Sequence, residues 1–128
     1  MVLDSSAVIA VLFREKEHEC LEERMAAADT LAIGAPTLFE AAMVAIGLYE
    51  ARGHDLLSHF LEEQGVEVMS FDERHWEVAV DAFDRYGKGR HPAGLNLGDC
   101  LSYSSAQVAQ QSLLFIGNDF ARTDIAPA

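Results

Sequence analysis

Four short apolar runs, Met1 to Asp4, Leu31 to Ala35, Val66 to Phe71 and Leu113 to Ile116, are separated by 26, 30 and 41 residues of largely helical pattern. None is joined to the next by the tight turn of a hairpin. Strands so far apart can share a sheet only through crossovers, which are right-handed and return the chain in the same direction. The pattern therefore predicts an α/β chain with a mainly parallel sheet. With 128 residues, half of them apolar, it has material for one core and is expected to form a single domain over 1–128. It contains no internal repeat, low-complexity tract or linker.

Between the strands the helices follow from caps and breakers. Ser5-Ser6 supplies capping oxygens for a helix through Ala7 to Phe13. Glu17 to Ala28 places Cys20, Leu21, Met25 and Ala28 on one apolar stripe against a solvated face that includes Glu19, Glu22 and Glu23. Pro36 breaks the second strand and Thr37 caps a helix running to Tyr49. A helix is expected over Asp55 to Glu63, another from the Asp72 cap to Tyr86, and a last one from Asp99 to about Gln110. Gly87 to Gly98, with four glycines and a proline, is the one long loop. Trp76 and Phe83, seven apart, read as a core stripe. Apolar surface on Ala7 to Phe13 and Phe39 to Tyr49 exceeds what a small sheet covers, and is expected to dock a partner helix or a second subunit.

Ligands bind beyond the carboxyl ends of parallel strands. Four acids from separate parts of the chain fall there: Asp4 ends strand one, Glu40 follows strand two by a helical turn, Asp99 opens the last helix and Asp119 follows the last strand. Carboxylates brought together repel unless a cation or a shared proton neutralises them, so such a cluster points to hard Mg²⁺ or Mn²⁺. Such an ion lowers the pKa of a bound water and polarises a phosphoryl oxygen, which hydrolyses phosphodiesters without a Ser, Cys or His nucleophile. Each acid also has a plainer role. Asp4 can cap the first helix, although a carboxylate directly after an apolar strand is costly unless it is used. Thr37-x-x-Glu40 has the spacing of a capping box, Asp99 suits a helix N-terminus, and Asp119 suits a Gly-Asn-Asp turn.

Met-Val-Leu-Asp-Ser-Ser-Ala-Val-Ile-Ala, Pro-Thr-Leu-Phe-Glu-Ala, Leu-Asn-Leu-Gly-Asp-Cys-Leu-Ser-Tyr and Leu-Leu-Phe-Ile-Gly-Asn-Asp-Phe-Ala-Arg-Thr-Asp-Ile resemble, in order and spacing, the four motifs of VapC toxins. These are the PIN-domain ribonucleases of VapBC toxin-antitoxin pairs, and the resemblance spans nearly the whole chain. It implies a PIN-like three-layer α/β/α sandwich with a sheet of four to five strands. It also implies Mg²⁺ or Mn²⁺ on Asp4, Glu40 and Asp99, with Ser6 supporting Asp4. The family's last aspartate falls at position 117, here Gly117, so Asp119 would take its place from a shifted position, supported by Asn118. The implied partners are a VapB-type antitoxin, tRNA or rRNA as substrate, and a second copy in a homodimer that forms a heterotetramer or larger assembly with antitoxin.

A net charge of −12, from 21 acids against nine Lys and Arg, is unlike a nucleic-acid binder. Acids that bind cations soften this objection, as does the grouping of Arg85, Lys88, Arg90 and His91 just before Asp99, where they are expected to hold RNA backbone. The alternative is a flexible solvated loop. The excess of acids also suits a basic protein partner. His18, His54, His59 and His75 have no metal-ligand spacing, and Cys20 and Cys100 read as reduced packing residues. No apolar run reaches the ~20 residues of a membrane span and no signal peptide opens the chain, so a cytoplasmic location is expected. A phosphoacceptor signalling domain also gathers acids at the sheet end, but it needs an acid pair after strand one and a lysine after the last strand. Here Asp4 precedes Ser5 and no lysine follows Lys88. A nucleophilic Asp-x-Asp phosphatase fails at Ser6. The remaining alternative is an inactive PIN-like binding module, which metal titration distinguishes.

Overall fold

A computed structural model describes residues 1–128. Strands β1 (Val2–Leu3), β2 (Leu31–Gly34), β3 (Val66–Met69) and β4 (Leu113–Leu114) form one sheet in the order β3-β2-β1-β4, with every pairing parallel. Helices α1 (Ser5–Leu12), α2 (His18–Ala26), α3 (Ala35–Tyr49), α4 (Ala51–Gln64), α5 (Glu73–Tyr86) and α6 (Leu97–Ala109) make the crossovers, and a 3₁₀ turn spans Phe120–Arg122. The predicted parallel α/β architecture is present.

Three layers follow from the two-residue period of the strands. Leu3, Ile33 and Leu114 face a core shared with Val8, Val11, Leu21, Met25, Ala41 and Leu57 of α1 to α4. Val2 and Leu113, one position away, face the opposite core with Ala82 of α5 and Cys100, Tyr103 and Ala106 of α6. A one-residue slip would exchange the two faces.

Several local expectations are corrected. Asp4 itself caps α1, accepting a hydrogen bond from the Ser6 amide, while Ser5 and Ser6 lie inside the helix. Pro36 sits in the first turn of α3, where its missing N–H removes no helical bond, so the helix begins at Ala35 without a side-chain cap. Thr37 is buried and shares a hydrogen bond with Ser102 Oγ at 3.1 Å, so the capping box with Glu40 does not form. Helix α4 begins at Ala51, four residues earlier than expected, and α6 begins at Leu97.

Residues 87–96 form the expected loop, with its two ends bonded to each other. Lys88 N donates to the Leu95 carbonyl and Leu95 N to that of Tyr86, both at 2.9 Å, and Leu95 is fully buried. On α1, Ala7, Val8, Ala10 and Val11 are core residues, while Ile9, Leu12 and Phe13 are half-buried. Trp76 and Phe83 are not core: with Phe71, Val80, Leu97 and Leu101 they line an open apolar groove of about 410 Å³ between α5 and α6. Cys20 points to solvent, and the α2 stripe consists of Leu21 and Met25. No helix is long and apolar enough to cross a membrane.

Candidate active site

The carboxyl ends of β1, β2 and β4 place three of the four acids, and the start of α6 places the fourth. Asp4 follows β1 directly, its amide bonded to the Leu114 carbonyl of β4 at 2.9 Å. Only 6% exposed, it is expensive there unless hydrogen-bonded or paired with a cation. Its Oδ2 accepts from the Ser6 amide at 3.0 Å and from Ser6 Oγ at 2.5 Å. Ser6 Oγ in turn accepts from Ile116 N at 3.1 Å, so one hydroxyl ties Asp4 to the end of β4. The protein spends both bonds on Oδ2 and gives Oδ1 no donor.

Glu40, half-buried in the second turn of α3, accepts from Ser5 Oγ at 3.1 Å through Oε2. Its carboxylate lies against Gly98, where an added Cβ would meet Oε1 at 2.7 Å and Oε2 at 2.8 Å. Asp99 therefore follows, by one residue, the backbone that Glu40 touches. Asp99 Oδ2 accepts from Asn96 N at 2.8 Å while Asn96 Oδ1 accepts from Asp99 N at 3.0 Å, a reciprocal capping box at the start of α6. The Asn-x-x-Asp spacing was the signal for that box in the sequence. The contacts of Ser5 and Gly98 with Glu40 had no such signal, because they join α1, α3 and α6.

Burial pushes the Asp99 carboxyl up to about 6, and the charges of Asp119, Asp4 and Glu40 push in the same direction, against the Asn96 hydrogen bond. All four acids thus act within one electrostatic neighbourhood. Asp119 is exposed, and its Oδ2 turns back over Gly117 to lie 3.6 Å from where a Cβ would stand. Gly117 has φ +101°, which an aspartate at that position would adopt only with strain. Asn118 is exposed and its side chain makes no hydrogen bond; only its carbonyl accepts, from Ala121 N. Beside Asp99, burial raises the Cys100 thiol to about 11, so it remains an unreactive packing group.

No three of the acids are drawn together tightly enough to enclose an ion as the side chains stand. Ser6, Ser5 and Asn96 each hold one of three carboxylates in place. The donor set suits Mg²⁺ or Mn²⁺ nonetheless: it offers only carboxylate oxygens, and Asp99, pushed up chiefly by burial and further by the neighbouring acids, has an ionised form that a cation would stabilise.

The four cationic candidates do not act alike. Arg85 bonds Asp124 at 2.8 Å and Asp81 at 3.3 Å, and Arg90 bonds Asp84 at 2.7 Å, so carboxylates already neutralise both. His91 accepts from Ala93 N at 3.1 Å and packs edge-on against Tyr86. Lys88 alone is exposed without an ion pair.

Because Asp99 is more readily protonated in the fold than in the unfolded chain, its charge destabilises the metal-free protein as pH rises through about 6. Asp99→Asn should therefore raise the metal-free melting temperature at pH 7.5 and have little effect near pH 4, where the native carboxyl is protonated. Thermal melts in EDTA at the two pH values check this; equal shifts at both would remove the electrostatic account.

Three crossovers bearing acids at one end of a parallel sheet define the class. Residues 1–126 match the family described as the PIN domain, and the chain belongs to that family. Within it the chain is similar to VapC ribonucleases. It is 39% identical to Ribonuclease VapC36 of Mycobacterium tuberculosis, over 98% of this chain and 91% of that protein. It is also 39% identical to Ribonuclease VapC of Mycolicibacterium smegmatis, over 98% of each. Among solved structures, M. tuberculosis VapC20, described as a Sarcin-Ricin loop cleaving toxin, superposes with a TM-score of 0.79 at 12% identity, over 99% of this chain and 97% of that one. VapBC2 of Rickettsia felis, bound to a DNA fragment from its promoter, superposes with a TM-score of 0.76 at 17% identity, over 98% of this chain and 94% of that one.

Proposed function

We propose that this chain is the toxin of a type II toxin-antitoxin pair, an Mg²⁺- or Mn²⁺-dependent endoribonuclease of the cytoplasm restrained by a VapB-type antitoxin. The observation that carries the catalytic part is the placement of Asp4, Glu40, Asp99 and Asp119 around the carboxyl end of the sheet, where burial first, and then the charges of the other three, push the Asp99 carboxyl up. Asp4, Asp99 and Glu40 would hold the ion, with Asp119 reaching in from the exposed turn after β4. When bound, the ion supplies a water of lowered pKa and a Lewis acid for a phosphoryl oxygen. The chain's own part is to orient oxygen donors: Ser6 fixes Asp4 from β4, and Asn96 fixes Asp99 at the head of α6. Structured RNA such as tRNA or rRNA is the substrate. Lys88 is the free cation for its backbone, while Arg85 and Arg90 would first have to leave their carboxylate partners.

The exposed residues Phe39 (67%), Met43, Leu48 and Tyr49 of α3 offer apolar surface to an antitoxin helix, and the groove of Trp76 (58%), Val80, Phe83 and Leu97 (77%) offers it to a second copy. That arrangement gives a homodimer, and a heterotetramer or larger assembly with antitoxin. An antitoxin Arg or Lys entering the acidic site would compete with the cation. Co-purification with the neighbouring gene product, light scattering, and RNA cleavage across an Mg²⁺ and Mn²⁺ series form the test. The expected result is a complex whose inhibition weakens as metal rises, with no cleavage in EDTA. Cleavage in EDTA, or a monomer that binds no neighbour-encoded protein, would overturn the proposal.

A further inference from the structure

We infer that Ser5 and Gly98 are positioning residues for Glu40, setting where its carboxylate presents itself to a divalent cation; this rests on the metal-site reading above. The sequence motif draws attention to Ser6, but Ser5 does separate work. It is the first residue of α1, and its Oγ donates to Glu40 Oε2 at 3.1 Å across 35 residues of chain. No other hydrogen bond holds the Glu40 side chain, since the Thr37 hydroxyl turns instead to Ser102. On its other side the Glu40 carboxylate meets Gly98, where any side chain would lie within 2.7 to 2.8 Å of its oxygens. Gly98 lies within α6 without a positive φ; its missing side chain leaves open the place where the Glu40 carboxylate lies, and a Cβ there would push that carboxylate aside.

A glutamate has three side-chain torsions, and freezing them loses rotamer entropy when an ion binds. A hydroxyl on one side and a bare backbone on the other hold the carboxylate beforehand, so less entropy is lost at binding. Partners of this kind around a metal ligand typically contribute about 10- to 100-fold in metal affinity or activity. Ser5 also orders Glu40 with respect to Asp4, because residues 4 and 5 are adjacent, and Gly98 orders it with respect to Asp99 in the same way. The three carboxylates are thereby placed through two neighbouring peptide units rather than through direct contact.

The test measures Mn²⁺ affinity by calorimetry and RNA cleavage in the full chain for Ser5→Ala, Ser5→Thr, Gly98→Ala and Glu40→Ala, with Ser5→Ala repeated in the Glu40→Ala background. Ser5→Ala is expected to weaken Mn²⁺ binding about tenfold with an unchanged melting temperature in EDTA, and Ser5→Thr to restore it. Gly98→Ala should weaken binding as well. In the Glu40→Ala background Ser5→Ala should cost nothing further, since the residue it positions is gone. Equal affinity for wild type and Ser5→Ala, or an undiminished loss in the Glu40→Ala background, would overturn the inference. Failure of the underlying site reading is a different result: wild type that binds no Mn²⁺, or Glu40→Ala that binds it as wild type does.

Discussion

Asp4→Asn is expected to abolish RNA cleavage and metal binding together while leaving the fold intact. Asparagine caps a helix as well as aspartate does, and its oxygen can keep the bond from the Ser6 amide, so α1 retains its start. What disappears is the negative charge that a buried cation ligand supplies. Even partners that act only through a ligand are worth about 10- to 100-fold, so loss of a direct ligand should exceed 100-fold in cleavage and in Mn²⁺ affinity. Near-native circular dichroism and an unchanged or higher melting temperature in EDTA should accompany the loss, because one of several mutually repelling charges is removed. Growth arrest on expression should vanish with it. Cleavage at the wild-type rate in Mg²⁺ would show that the assigned site is wrong.

The second large effect lies away from the chemistry. Gly53→Ala should destabilise the protein by about 3 kcal/mol, at the upper end of overpacking costs, and lower its melting temperature by about 10 °C. Helices α3 and α4 meet at Glu50, whose φ of 54° turns the chain back, and Gly53 then packs directly on α3. A Cβ there would collide with the carbonyl of Ala45 and stand 2.6 Å from Ile46 N. These are backbone atoms, so relief requires the two helices to separate. Gly47→Ala is the control: it is also in α3, nothing lies within 4 Å of its added Cβ, and alanine should stabilise by up to about 1 kcal/mol. Thermal melts of the two variants decide the matter. A Gly53→Ala midpoint within about 2 °C of wild type would mean that the close approach is not part of the native packing.

The expected α/β alternation appears because strand and helix periods are local properties, and the four runs that lack hairpin turns do form a parallel sheet. Asp4 and Asp99 were visible because one ends a strand and the other opens a helix, where burial or capping makes a carboxylate conspicuous; Glu40 and Asp119 were visible only by their positions after β2 and β4. Apolar stripes were less informative about where they point. Trp76 and Phe83 share a helix face, and only the position of α6 decides that this face opens to a groove instead of closing on the core. On α1, Ala7, Val8, Ala10 and Val11 sink between the sheet, α2 and α3, and Ile9, Leu12 and Phe13 stay half-buried at its margin.

The sequence by itself determined the order of strands and helices, the family, and which carboxylates have no partner of opposite charge nearby in the chain, because those depend on spacing and residue type. Asp4 and Asp99 are held by near neighbours, Ser6 and Asn96, but tertiary structure alone decided how Glu40 is held. Thr37 stands three residues before Glu40, which is the capping-box spacing, yet burial against α6 gives its hydroxyl to Ser102 and leaves Glu40 to Ser5. Cationic neighbours were decided partly in the same way: Asp81 pairs with Arg85 from one helical turn away, but Asp124 reaches it across 39 residues. Both outcomes rest on contacts between segments distant in sequence, whose energies depend on distances of a few ångströms that appear only once the sheet has closed the crossovers together.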